Sequence, residues 1–415
     1  MFDVPIFVIL TPLYLIGPPT RLAMTTPTIP WEERAAAKRA EVLSKIPSEW
    51  KLNDSDLALA GKTRKLTGEF IEQFLGAEDI VITSKDTVEL VDAIKERSLT
   101  AVQVATSFCK RAAVAHQINN CLHEIFFDQA LERAKYLDEY QAKHGTTMGP
   151  LHGLPISLKD QFHVKGVDTT MGYVGWIGKN LGVKDPDQTH KVESQLVTDL
   201  LSLGAILYCK TSVPQTLLIG ETKNNIFGYT FNPVNTNLSS GGSSGGESAL
   251  LALRGSTLGF GTDIGGSVRI PAAFTGIYSL KPTPERVSYR DMANTNPGQN
   301  TYRSTVGFMS TSLGGLTHGL EATLSAKPWL RDPAVVPIPY RHDLLKQYSD
   351  RANPDGTARS DAQPLKLGIV WTDGSINPHP PVKRGLENVV KSLIAAGHKV
   401  SCMYLNSPLS SYALC

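Results

Sequence analysis

The chain has 415 residues, and its 41 Lys+Arg against 39 Asp+Glu leave a formal net charge of only +2. That balance argues against a general binder of nucleic acid or of anionic membranes, since both need a basic excess. With 41% hydrophobic and 19% charged residues, a large core can form without staples and extensive disorder is excluded. Cys109, Cys121, Cys209, Cys402 and Cys415 show no C-x-x-C spacing and read as reduced thiols. The ten histidines include no H-E-x-x-H pattern, and no metal is expected.

The chain opens on an apolar stretch, Val4 to Ile16, interrupted by Pro5 and Pro12 and preceded by Asp3. It is too short for a membrane span, which needs about 18 apolar residues, and it lacks the basic start of a signal peptide. Residues 1–23 are therefore expected to be an extension outside the fold, with a cytoplasmic location and no membrane partner. From Met24 the sequence reads as an ordinary start, with Thr28 or Pro30 opening a charged helix.

Turn-spaced apolar positions predict helices over Asp86–Ser98 and Thr100–Gln117. Cys121–Phe127 reads as a strand, and Asp128 as the cap of a helix that runs to Lys143. Pro155–Leu158 is a short buried-type strand. Val192–Leu203 is a helix stopped by Gly204, and Ala205–Cys209 is the next strand. Near the end, Leu365–Trp371, Pro380–Gly397 and Lys399–Leu405 form a strand–helix–strand unit. Alternating helices and short apolar strands imply an α/β fold, a large, mostly parallel or mixed twisted sheet covered by helices on both faces.

The most informative segments are two glycine-rich runs, SSGGSSGG (Ser239–Gly246) and GFGTDIGGSVRIP (Gly259–Pro271). A flexible linker would join domains, whereas the first run leads straight into the helix former Glu247–Gly255. Unpaired N–H groups at such a helix start suit an anion or oxyanion. A phosphate loop requires Lys after the last glycine, where this chain has Glu247. Gly242 to Gly246 also spells G-x-S-x-G, with Ser244 central, but the loop-like NTNLSS precedes it instead of an apolar strand. A third reading joins both runs to Lys159. Serine needs a base, a buried lysine can be neutral, and Gly265-Gly266 before Ser267 would expose oxyanion donors.

Two segments carry a family resemblance. Gly241–Thr283 is similar to the signature region of the amidase signature family, in particular its fungal acetamidase-like members, and Gly149–Tyr173 resembles the family's lysine segment. The resemblance runs from about Met24 to Leu405 and implies a single amidase signature domain over 24–405, incomplete at its C-terminus, with 406–415 as a tail outside the family pattern. It implies a serine amidase with a Ser–cis-Ser–Lys triad: Ser267 as nucleophile, Ser243 as bridging serine after a cis peptide bond, and Lys159 as base. Backbone N–H groups of Ile264, Gly265, Gly266 and Ser267 would hold the oxyanion, and Leu217 would lie beside the scissile carbonyl. Gly242, Ser244, Asp263 and Arg269 would support the loops, Ser244 by hydrogen bonding and Asp263–Arg269 as an ion pair. His152 and His163 flank Lys159 and are expected to be structural.

No cofactor is implied, and the expected partner is a small-molecule amide, with no nucleic acid and a homo-oligomer left open. Because relatives continue past Leu405, the C-terminal part is expected to be truncated, leaving poor expression or weak activity. The alternatives are a non-catalytic relative and an amidotransferase-type subunit.

Overall fold

The computed structural model describes residues 29–296, 298–349, 351, 359, 363–403 and 413–414. The expected extension over 1–23 lies outside them, as do residues 406–412 and Cys415 of the expected tail. The chain, expected as one domain over 24–405, separates into two compact units, one ending at Ile338 and the other beginning at Pro339.

The first unit is built on a six-stranded sheet. Its strands are β1 (Leu122–Ile125), β2 (Pro155–Lys159), β3 (Ile206–Thr211), β6 (Leu258–Asp263), β7 (Tyr278–Leu280) and β8 (Thr305–Ser310). A separate hairpin pairs β4 (Lys223–Asn224) with β5 (Gly228–Tyr229). The sheet order is β1-β3-β2-β6-β8-β7. β2 runs parallel to β3 on one side and β6 on the other, while β1, β8 and β7 pair antiparallel at the flanks.

Helices form where the sequence supplies caps. Thr87–Lys95 starts behind Asp86, whose carboxylate accepts from the Val88 and Glu89 amides while Glu89 reaches back. Ala101–Asn119 starts behind Thr100 with Gln103 in the reciprocal role. The next helix departs from expectation. Phe127–His144 begins two residues earlier than the cap reading, behind Phe126, so Asp128 lies in its first turn. There the carboxylate faces the positive end of the helix dipole instead of closing a cap.

Strand alternation sends successive side chains to opposite faces of the sheet, and each face has its own core. Ile206 and Tyr208 enter one core with Ala112, Ala134 and Leu250 from three helices. Leu207, Ile156, Leu158 and Phe260 enter the other with Leu90, Leu200 and Leu316. The helix-covered mixed sheet expected from the sequence is thus present. Its strands leave Lys159, Thr211 and Asp263 side by side at the carboxyl ends of the three parallel strands.

In the second unit, β9 (Lys366–Ile369) and β10 (Lys399–Cys402) are parallel and joined through the helix Pro380–Ala395, as expected, and β11 (Ala413–Leu414) pairs antiparallel with β10. Cys109, Cys121 and Cys209 are free and buried. Cys402 is disulfide-bonded, contrary to the reduced-thiol reading. Among the described residues, no helix is long and apolar enough to cross a membrane.

Candidate active site

In open α/β sheets, ligands bind beyond the carboxyl ends of parallel strands, and the sequence-predicted residues gather there. Lys159 closes β2 and is fully buried. Its Nζ lies 2.8 Å from Ser243 Oγ, 2.9 Å from Thr262 Oγ1 and 3.5 Å from the Thr262 carbonyl. Burial pushes the amine down to about 7 from its ordinary 10.5, against the opposing pull of Asp263 and Glu247. A cation so enclosed loses its hydration, and the nearest carboxylates recover only part of that loss.

Ser243 arrives on the first glycine-rich run. The Gly242–Ser243 peptide is cis, as the resemblance implies. Gly242 is required by close approach: a Cβ there would fall 2.6 Å from the Ile219 carbonyl and 2.7 Å from that of Glu221. The loop is anchored where Thr222 Oγ1 donates to the Gly241 carbonyl and Ser240 Oγ to that of Thr230. The Ser244 amide donates to the Ser267 carbonyl at 3.1 Å, tying the two glycine-rich runs together. Ser244 therefore supports the loop through its backbone. Its buried hydroxyl has no hydrogen-bond partner among the described residues, which corrects the expectation that the side chain does this work.

Ser267 is half-buried and follows the tight turn out of β6. Asp263 organises that turn. It accepts from the Gly266 amide at 2.7 Å and the Val268 amide at 3.2 Å, and holds Arg269 through two 3.0 Å contacts. Burial would raise the Asp263 carboxyl, but Arg269 and the two amides outweigh it and hold it below the usual range. The expected Asp263–Arg269 pair is thus present. Gly266 sits at φ +129°, a conformation L side chains rarely adopt. Its amide is committed to Asp263.

Ser243, Ser267, Ile264 and Leu217 line one cavity of about 990 Å³, together with Thr262, Gln161 and Tyr289. Leu217 and Thr216 both have positive φ, at 61° and 71°. Leu217 thus shares the cavity with the two serines. His152 and His163 are both buried and pushed down by burial, His163 to about 4. His152 Nδ1 accepts from the Met148 amide, so it braces a turn.

Three residues escaped the sequence reading. Thr262 lies in β6, and Gly259 and Gly261 hide that strand's apolar pattern. Gln161 follows Lys159 by two positions, and only its long-range partner Thr262 exposes its place. Glu247, which stands where a phosphate loop would need Lys, is fully buried in the first turn of the helix Gly245–Ala252. It accepts from Ser157 Oγ and, at 2.7 Å, from Thr211 Oγ1, bracing that helix against β2 and β3. Burial raises its carboxyl to about 7.

Known proteins are similar to this chain. The Amidase family model matches residues 103–415. The chain is 43% identical over 371 residues to an acetamidase of Emericella nidulans, covering 89% of this chain and 64% of that protein. It is 42% identical to an acetamidase of Aspergillus oryzae, covering 90% of this chain and 65% of the relative. Among solved structures, fatty acid amide hydrolase superposes with a TM-score of 0.78 at 33% identity, over 91% of this chain and 63% of that one. The chain thus spans less than two thirds of the length of these relatives. With the family model covering most of its residues and both glycine-rich runs set around a buried lysine, the chain belongs to the amidase signature family.

Proposed function

We propose that the chain hydrolyses carboxylic amides to a carboxylate and ammonia or an amine through an acyl-enzyme on Ser267. The observation that carries this is the fully buried Lys159 amine 2.8 Å from Ser243 Oγ, on the loop joined to the Ser267 loop. A lysine that titrates near neutrality can act as a base where an ordinary one cannot. Neutral Lys159 takes the Ser243 proton as Ser243 takes that of Ser267. Ser267 Oγ then adds to the amide carbonyl, and the oxyanion settles against the Ile264, Gly265 and Ser267 amides. The proton returns through Ser243 to the leaving nitrogen, the C–N bond breaks, and water cleaves the resulting ester by the same route.

The cavity of about 990 Å³ is far larger than acetamide requires, and Leu217, Leu218, Val287 and Val335 give it apolar walls. The substrates are accordingly small-molecule amides from short aliphatic to longer acyl or aryl ones, and the cytoplasm is the proposed location. The test is ammonia or amine release from a panel running from acetamide to long-acyl and aryl amides, alongside labelling by a fluorophosphonate serine probe. Turnover with probe labelling that substrate suppresses is expected. A folded chain inert to both would instead be a non-catalytic relative.

The Asp263 turn supplies a prediction of intermediate size. Asp263→Asn keeps an acceptor for one amide but loses the charge that holds Gly266, Val268 and Arg269 together. Turnover is expected to fall about 10- to 100-fold, because small displacements of a nucleophile and its donors are costly. Steady-state kinetics beside a thermal melt checks this. A normal kcat would show that the turn holds without the carboxylate.

A further inference from the structure

We infer that Gln161 is a positioning residue that fixes the direction of the hydrogen bonds around Lys159 and so aims the lone pair of the neutral amine at Ser243. The inference rests on the amidase reading above and names a residue that reading does not use.

The argument starts at a backbone carbonyl. Gln161 Nε2 lies 2.8 Å from the Ala293 carbonyl, and a carbonyl can only accept. The amide nitrogen must therefore face Ala293, and its second hydrogen goes to the Tyr289 hydroxyl at 2.8 Å. The Ala293 amide also donates to the Gln161 carbonyl, clamping the two segments together. With the side chain so oriented, Oε1 faces Thr262 Oγ1 at 2.7 Å and can only accept. The single Thr262 hydroxyl hydrogen is thus consumed, and toward Lys159 that oxygen offers only lone pairs.

Lys159 then has little freedom. A neutral amine has two hydrogens and one lone pair. Two of its three neighbours, Thr262 Oγ1 and the Thr262 carbonyl, can only accept. Both hydrogens go to Thr262, and the lone pair is left for the one neighbour able to donate, Ser243. Gln161 is itself 1% exposed. Without its carbonyl oxygen, the Thr262 hydroxyl can turn and donate into the Lys159 lone pair, competing with Ser243 for the base. The charged and titratable groups facing this chain are Asp263 at the end of β6, Glu247 on the helix Gly245–Ala252, and the Tyr289 phenol at the outer end of Gln161. All three are kept in the variants below.

The experiment compares Gln161→Met, Thr262→Val and the double variant, reading kcat/KM against pH. Gln161→Met is expected to lower the plateau about 30-fold, a loss of the size general-base catalysis supplies. Its acidic limb should also move to lower pH, because the misdirected hydroxyl favours the neutral amine. In the Thr262→Val background, Gln161→Met should cost less than about twofold, since the hydroxyl through which the Gln161 side chain reaches Lys159 is gone. Should Gln161→Met fail to fold, Gln161→Asn makes the same comparison with an amide one methylene short of Thr262. An unmoved acidic limb, or losses that multiply in the double variant, overturns the role assigned to Gln161. A wild-type chain without turnover or probe labelling overturns the amidase reading instead, so the two failures are distinct.

Discussion

Ser267→Ala is expected to lower amide turnover by at least about 10⁴-fold and to abolish fluorophosphonate labelling. Ser267 sits half-buried at a turn whose shape is set by Asp263 and by the Ser244 amide, neither of which touches the Ser267 hydroxyl. The melting temperature should therefore stay within about 2 °C of the parent, a surface-sized perturbation. Ser243→Ala combined with Ser267→Ala should cost little beyond the single change, because residues that act as a unit are strongly non-additive. Residual labelling at another serine in the Ser267→Ala variant would move the nucleophile elsewhere.

Lys159→Met is the second large effect, and its consequences for rate and stability have opposite signs. Removing the base should reduce kcat/KM by about 10³-fold or more across the pH range. In the parent, kcat/KM should fall as pH drops below about 7, where burial has brought the Lys159 amine, and hold above it. The folded-state value lies below the unfolded 10.5, so between the two the folded chain binds fewer protons than the unfolded one. The stability of the parent should therefore rise with pH across that window. Below it, a buried cation opposes folding in full. Methionine removes that burden, and at pH 6 the variant is expected to melt about 2–4 °C higher than the parent while being nearly inactive. Equal melts at pH 6, or a parent rate that stays flat to pH 5, would show that Lys159 is not the neutral base.

Much of the fold was legible because local chemistry sets it. Turn-spaced apolar residues predict helices over Asp86–Ser98 and Thr100–Gln117, and both helices start directly behind Asp86 and Thr100. Apolar β2 and β3 read as strands within two residues of their bounds. β6 was not read, since Gly259 and Gly261 replace alternate side chains in a strand that is nonetheless buried throughout. Only its pairing with β2 and β8 reveals it. The same lapse concealed Thr262, which sits on that strand. Asp128 was read as a cap because the residue type favours one, yet packing started the helix at Phe127.

By itself, the sequence determined which groups are available for the chemistry: Lys159 at a strand end, Ser243 and Ser267 in glycine-rich runs, and Asp263 beside Arg269 at a spacing that forms a turn. These follow from covalent spacing and from glycine, which admits backbone approaches closed to other residues. Tertiary structure decided what those groups are. Lys159 and Ser243 are 84 residues apart, and Gln161 and Thr262 are 101, so their contacts depend on which strands pair. The Lys159 amine is brought down to about 7 because the sheet and its helices exclude water from it. Its lone pair faces Ser243 because a carbonyl at Ala293 orients Gln161 and, through it, Thr262. Protonation and hydrogen-bond direction belong to an environment, and an environment exists only once distant segments have packed.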